Sequence, residues 1–392
     1  MMLMSTRDTQ RGAVSLFIVI FSTLLITVVT VSFVRIMLAE QQQASTSDLS
    51  QSAYDSAQAG IEDAKRALLF YEAECASGDA GRCNNARSAL ESTECNAALQ
   101  NVITYTQGQE VTVEQTQGDS ALQQAYTCVK LTLDTDDYQG VLTQDVGKFI
   151  PLRGASDITA VRVEWFSAQD LQGGNSTVNV PDFTRGTPLL RQSTWNSSST
   201  PNRPPIMRTQ LIQFSNDNGF TLDDFNGAAN TGAISNASTL FLYPTNVVAS
   251  TKNFATDDTR KTATGDPVMA TCQSTLSSGG YACSATITLP SPINGGSREA
   301  FLLLNSIYKG SNYRVTLLNG ASVVRFSAVQ PEVDSTGRAN DLFRRLVARV
   351  EGFEGVYPQA AIDLTGGFCK NFIVTNAEAD YADYALAAGC TP

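Results

Sequence analysis

Apolar positions along this chain fall into three regimes. From Ala13 to Val34 they form an unbroken block, AVSLFIVIFSTLLITVVTVSFV, without one charged side chain. As a helix rising 1.5 Å per residue, the block is about 33 Å long, enough for the hydrocarbon core of a bilayer. Next, Tyr54, Ala57, Ile61, Ala64, Leu68 and Tyr71 recur at alternating three- and four-residue spacing, which places them on one helical face. Glu62 and Arg66 stand as an i,i+4 pair on the other side. No Pro interrupts Glu40 to Glu74 and Gly60 is the one Gly there, so a single helix is expected from 13 to about 70, with its transmembrane half at 13–34. Continuous, it would measure about 87 Å. Ser45, Thr46, Ser47 and Ser50 mark the place where it would break or loosen.

The third regime is period two. In Ala282–Leu289, Cys283, Ala285, Ile287 and Leu289 alternate with Ser284, Thr286 and Thr288, the signature of a half-buried strand. Strand-like runs also occupy Tyr126–Leu133, Ile158–Phe166, Met207–Phe214, Thr239–Tyr243, Phe301–Tyr308, Tyr313–Leu318, Ser322–Val329 and Leu342–Val350. Between helix and strands, residues 71–128 read as a Cys-rich linker or insert with a helical stretch at Ala86–Leu99. Long Gly-, Ser-, Asn- and Pro-rich loops at 168–205, 216–237 and 250–280 enlarge the head at 129–392 and suggest a second β subdomain around 168–300. The fold class expected is α+β, a long N-terminal hydrophobic helix packed on a large, mainly antiparallel β head.

Composition narrows the chemistry. The chain has 392 residues, a net charge of −11 and no histidine. Bulk acidity argues against nucleic acid as a partner, because phosphate contacts need clustered Lys and Arg. One basic cluster, Arg338, Arg344, Arg345 and Arg349, reads best as the solvent face of a strand. Without histidine, the commonest general base and transition-metal ligand is missing, so no cofactor, no metal and no enzyme activity are expected. Carboxylate catalysis of the glycosidase kind is compatible with the composition, but no acidic constellation stands out. Asp134, Asp136 and Asp137, and the group Asp217, Asp223 and Asp224, do not fit a calcium loop and read as solvated turns. Asn175, Asn196 and Asn236 lie in sequons that carry no further signal here.

All eight cysteines (Cys75, Cys83, Cys95, Cys128, Cys272, Cys283, Cys369 and Cys390) follow the apolar block, and none sits in a C-x-x-C pair. Disulfides in an oxidising compartment account for them. Pairing of chain neighbours would join 75–83, 95–128, 272–283 and 369–390, one of 105 arrangements. The apolar block is too long for a cleaved signal peptide, and the residues after it make a poor cleavage site. Arg7 and Arg11 precede it and favour a cytoplasmic N-terminus, with Arg35 snorkelling on the far side. A single-pass membrane protein with a cytoplasmic N-terminus and an extracytoplasmic head is the expected arrangement.

Three features together resemble a known family: Gln10-Arg11-Gly12-Ala13, the charge-free helix after it, and the stretch AYDSAQAGIEDAKRAL at 53–68. They are similar to the PilX-type minor pilins, a group of type IV pilin-like proteins, over about the first 70 residues. Gln58 stands where that family usually has Glu. The resemblance implies a leader at 1–12, cut by a prepilin peptidase between Gly12 and Ala13, and methylation of the new amino terminus. It also implies a filament and membrane helix carrying Phe17, Arg35, Tyr54, Ile61 and Leu68, whose first half sits in the inner membrane and then packs against other pilin subunits while its second half packs on the head. Most major pilins carry Glu at the fifth mature position; here that position is Phe17, which points to a minor or tip component rather than a bulk subunit. The function implied is filament assembly, tip priming or surface adhesion in a type IV pilus or related pseudopilus, with a surface ligand for the head. The alternative is a signal-anchored extracellular β-rich binding module or adhesin that enters no filament.

Overall fold

The computed structural model describes residues 11–351, apart from 105, 114–122, 174–176, 183–189, 196, 216–236, 249–250, 259–266, 277–278 and 295–297. The leader residues 1–10, the three sequon asparagines, Asp217 to Asp224, Cys369 and Cys390 lie outside the described residues.

The chain starts with α1 (Arg11–Ala76), a helix of 66 residues and about 99 Å. It runs through Ser45–Ser50 without a break. It stops where Gly78 takes a left-handed φ of 77° and donates its N–H to the Cys75 carbonyl. Asp79 then caps α2 (Ala80–Leu90), its carboxylate accepting from the N–H groups of Gly81 and Arg82. The expected helix at Ala86–Leu99 is in fact two pieces, the end of α2 and a 3-10 turn at Ala97–Leu99. Asn96 separates them at φ 64°, and its buried side chain works as a peg. Nδ2 donates to the carbonyls of Gln109 and Thr127, while Oδ1 accepts from the Val129 N–H at 2.8 Å.

Two sheets follow. The smaller is antiparallel throughout, in the order β1 (Val111–Thr112), β2 (Ala125–Thr135), β14 (Phe326–Ala339) and β15 (Leu342–Arg349). The larger is built from the chain between β2 and β14. Its strands are β3 (Tyr138–Leu142), β4 (Gly147–Pro151), β5 (Ile158–Ser167), β6 (Ile206–Ser215), β7 (Ala237–Thr245) and β8 (Lys252–Asn253). They continue as β9 (Val268–Cys272), β10 (Tyr281–Ile293), β11 (Arg298–Ile307), β12 (Ser311–Asn319) and β13 (Ser322–Val324). This sheet therefore draws on residues 138–324, wider on both sides than the expected 168–300. The path is β13-β12-β5-β10-β9-β7-β6-β11-β4, with β3 on β12 and β8 on β10. Only the β7–β9 and β8–β10 pairings are parallel within it. The class is α+β, as expected.

The larger sheet returns on itself, and the register explains how. Residues 138–142 pair antiparallel with 315–311, and residues 147–151 pair with 305–301. One bent ribbon, β3–β4 against β11–β12, thus serves both ends of the path and turns a corner at 143–146 and 306–310. The corner holds one extra residue on the second strand, a bulge at which Tyr308 sits at φ 81°. Gly310 is needed there, since a Cβ would lie 2.7 Å from the Leu142 carbonyl oxygen. One continuous apolar cluster fills the inside, including Trp165, Phe254, Ile287, Leu302, Tyr313 and Phe326. Trp165 is fully buried and satisfies its indole N–H on the Pro205 carbonyl at 3.0 Å. The pair Cys272–Cys283 joins two register-matched positions of β9 and β10.

The sheets share a junction at Thr135–Gln139. The Gln330 amide behaves there like a piece of strand, accepting from the Gln139 N–H (2.9 Å) and donating to its carbonyl (2.7 Å). The acidic stretch beside it runs from the end of β2 into the turn before β3; Asp136 is solvated there, as expected, while Asp134 and Asp137 are partly buried, and each carboxylate meets its own arginine. Asp134 pairs with Arg87 (2.7 Å), Asp136 with Arg325 (2.9 Å) and Asp137 with Arg349 (3.3 Å). In the Arg338–Arg349 cluster, Arg344 and Arg345 lie on the exposed face of β15, as expected, and each arginine has a partner: Arg338 on Glu110, Arg344 on Ser50, Arg345 on Asp334, and Arg349 also on Glu332.

Candidate functional site: the long helix and its seat on the small sheet

α1 divides by environment. From Leu16 to Asp48 every residue is exposed, including Phe17 (75%), Phe21 and Phe33. Among the described residues α1 is long and apolar enough to cross a membrane, by length and composition. Four of its hydroxyls are compatible with lipid because each has an intrahelical acceptor. Thr23, Thr27, Thr30 and Ser32 donate to carbonyls three or four residues back at 2.8–2.9 Å. Gly12 and Ala13 lie in the first turns of α1, and Arg35 is exposed just past the charge-free block.

From Ala53 onward the helix is seated on the small sheet. The buried positions are Ala53, Ser56, Ala57, Gly60, Ile61, Ala64, Ala67 and Leu68. Ile61 and Leu68 are where the periodicity placed them. Tyr54 is not: it is 43% exposed, and Ala53 takes the inward place. The reason is the closeness of the sheet at this end. A Cβ on Gly337 of β14 would overlap the Ala53 carbonyl oxygen and the Ala57 nitrogen. A Cβ on Gly60 would come within 2.5 Å of Ser335 Oγ and 2.8 Å of Val129 Cγ2. A tyrosine cannot enter such a gap.

The sheet side is graded to match. Along β14 the inward residues are Val333, Ser335, Gly337 and Ala339, all buried, and the smallest lies under the helix where backbones nearly touch. These four residues escaped the sequence reading. The signal was a period-two run of small residues, which propensity alone reads as loop.

Polar contacts lock the seat. The buried Tyr126 hydroxyl donates to Asp63 at 2.7 Å, and burial, followed by that carboxylate, pushes the phenol well above its ordinary range. Arg344 Nε donates to Ser50 Oγ at 2.8 Å. The expected Glu62–Arg66 pair is replaced by two i,i+3 pairs, Glu62–Lys65 (2.7 Å) and Asp63–Arg66 (2.9 Å). Asp63 can thereby serve Tyr126 and Arg66 together. Disulfides Cys75–Cys83 and Cys95–Cys128 fasten the end of α1 to α2 and the 96–110 loop to β2. Among the described residues no group of three or more Cys, Asp or Glu is placed to hold a metal ion.

Fold and site together define a class: an α+β protein whose first helix has a bare apolar half and a half seated on a four-stranded antiparallel sheet. Compared with protein-family models, curated proteins and solved structures, the chain matches none of them.

Proposed function

We propose that this protein is a minor pilin-like component of a type IV pilus or related pseudopilus, acting by assembly and contact rather than catalysis. The observation that carries the reading is α1 itself, one unbroken helix with an exposed apolar first half and a second half locked to the head. Such a helix can sit in a bilayer and then pack its apolar half against the helices of other subunits. The head would follow it rigidly from Ala53 onward. Leader, helix and the resemblance at residues 53–68 support the same reading. Phe17 in place of an acidic residue favours a minor or tip position, since it puts no buried carboxylate in the bundle. Arg7 and Arg11 support a cytoplasmic N-terminus, and the disulfides support an oxidising, extracytoplasmic place for the head. The larger sheet, inserted between β2 and β14, is the part free to contact a surface ligand.

Mass spectrometry of the protein's N-terminus from its native host tests this. A chain beginning at methylated Ala13 is expected. An intact 1–12 leader on all molecules would sink the proposal and leave a signal-anchored β-rich binding module.

A further inference from the structure

The two halves of α1 are each held, one by its apolar composition and one by the small sheet, but the stretch between them is held by nothing. Residues 39–48, Ala-Glu-Gln-Gln-Gln-Ala-Ser-Thr-Ser-Asp, are exposed on every side. The first grip of the head is Arg344 on Ser50, followed by the buried Ala53. No ion pair among the described residues braces 39–48, whereas the seated part has two. Its side-chain hydrogen bond is Thr46 Oγ1 to the Gln42 carbonyl at 2.8 Å, a bond within the helix of the kind that bends helices rather than stiffens them. Ser45, Thr46, Ser47 and Asp48 are also poor helix formers, because their short polar side chains compete for backbone groups.

From this geometry we infer that residues 39–48 are a hinge, a built-in place where α1 opens locally while both flanking halves stay helical. The physical argument is one of what opening would cost. Melting this stretch exposes no apolar surface, breaks only backbone hydrogen bonds already beside water, and releases chain entropy. Melting the seated half would uncover Ile61, Ala64 and Leu68 and strand the Tyr126 hydroxyl. When open, ten residues that span about 15 Å as helix can reach about 33 Å. The head then tilts and extends relative to its anchored half without unfolding. The inference concerns the chain anchored in a membrane, so it does not stand or fall with the processing of the leader.

Amide hydrogen exchange on the full chain in lipid nanodiscs decides it. Amides of 41–50 are expected to exchange about 100-fold or more faster than those of 57–68. Changing Ser45→Ala, Thr46→Ala and Ser47→Ala together should slow exchange in 41–50 about tenfold and leave 57–68 unaltered. Equal protection of the two stretches in the parent chain would overturn the hinge. So would a triple variant whose 41–50 amides exchange as before.

Discussion

Gly337 and Gly60 are small because backbone or a buried side chain already occupies the space a methyl would need, not because their φ angles demand glycine. The two differ in what they would strike. At Gly337 the obstacle is helix backbone, so Gly337→Ala is expected to cost about 1–3 kcal/mol by overpacking. At Gly60 the nearest obstacle is Ser335 Oγ, and alanine also gains about 1 kcal/mol of helix propensity, so Gly60→Ala should cost less. Ser335 is fully buried and its hydroxyl has no hydrogen-bond partner. Ser335→Ala is therefore expected to be neutral or to stabilise by up to about 1 kcal/mol, and to make Gly60→Ala cheaper still. Denaturant midpoints of the four proteins, full chain in detergent, would show this coupling. Additive costs would mean that the hydroxyl is not the obstacle.

Among elements, the disulfides differ in the loop each closes. Cys95–Cys128 spans 33 residues, and Cys75–Cys83 spans 8. By loop entropy the first should contribute about 3.7 kcal/mol and the second about 2.5 kcal/mol. Paired Cys→Ala variants should separate in that order by thermal or denaturant unfolding. Cys272–Cys283 spans 11 residues but links strands that are already hydrogen-bonded, so its removal should leave β9–β10 pairing intact. Element legibility followed length and apolarity. β2, β5, β6, β7, β10, β11 and β12 coincide with strand-like runs because their buried faces are built from apolar residues, and β15 does so through its half-buried Leu342, Leu346 and Ala348. Most of β14 was illegible, since its inward residues shrink to Ser335 and Gly337 under the helix. β3, β4 and β9 have five residues each, too short to show a period.

For the molecule as a whole, the buried tyrosines set a limit at high pH. Tyr126, Tyr138 and Tyr313 are raised above the ordinary phenol value, in each case by burial first and by Asp63, Tyr313 or Glu351 next. In the unfolded chain they would titrate near 10. A raised folded value means the native state holds the proton more tightly, so this contribution is complete below pH 10. It is lost as pH rises beyond 10 towards the folded values. The denaturant midpoint should fall steeply between pH 10 and 12. Tyr126→Phe should flatten part of that slope while lowering stability at neutral pH, where it removes the bond to Asp63. A midpoint independent of pH in that window would contradict the burial of these phenols.

What the sequence determined by itself is whatever depends on local order along the chain. An apolar block free of charge must avoid water as a helix, and the stripe through Ala57, Ile61, Ala64 and Leu68 must face something. Alternating runs such as Ala282–Leu289 must lie half-buried in a sheet. Cysteine neighbours were one arrangement among 105, and the three described bridges formed as neighbours because their elements bring them within 4.0–4.6 Å between Cα atoms. What only the tertiary structure decided is which distant residues share a space. Ala53 rather than Tyr54 faces inward because Gly337, 284 positions later, leaves no room for a ring. Asp134, Asp136 and Asp137 diverge to three arginines from three parts of the chain, and a one-residue bulge at Tyr308 turns a flat ribbon into the corner that closes the larger sheet. Each of these is a steric or electrostatic fit between segments far apart in sequence, so no local pattern can encode it.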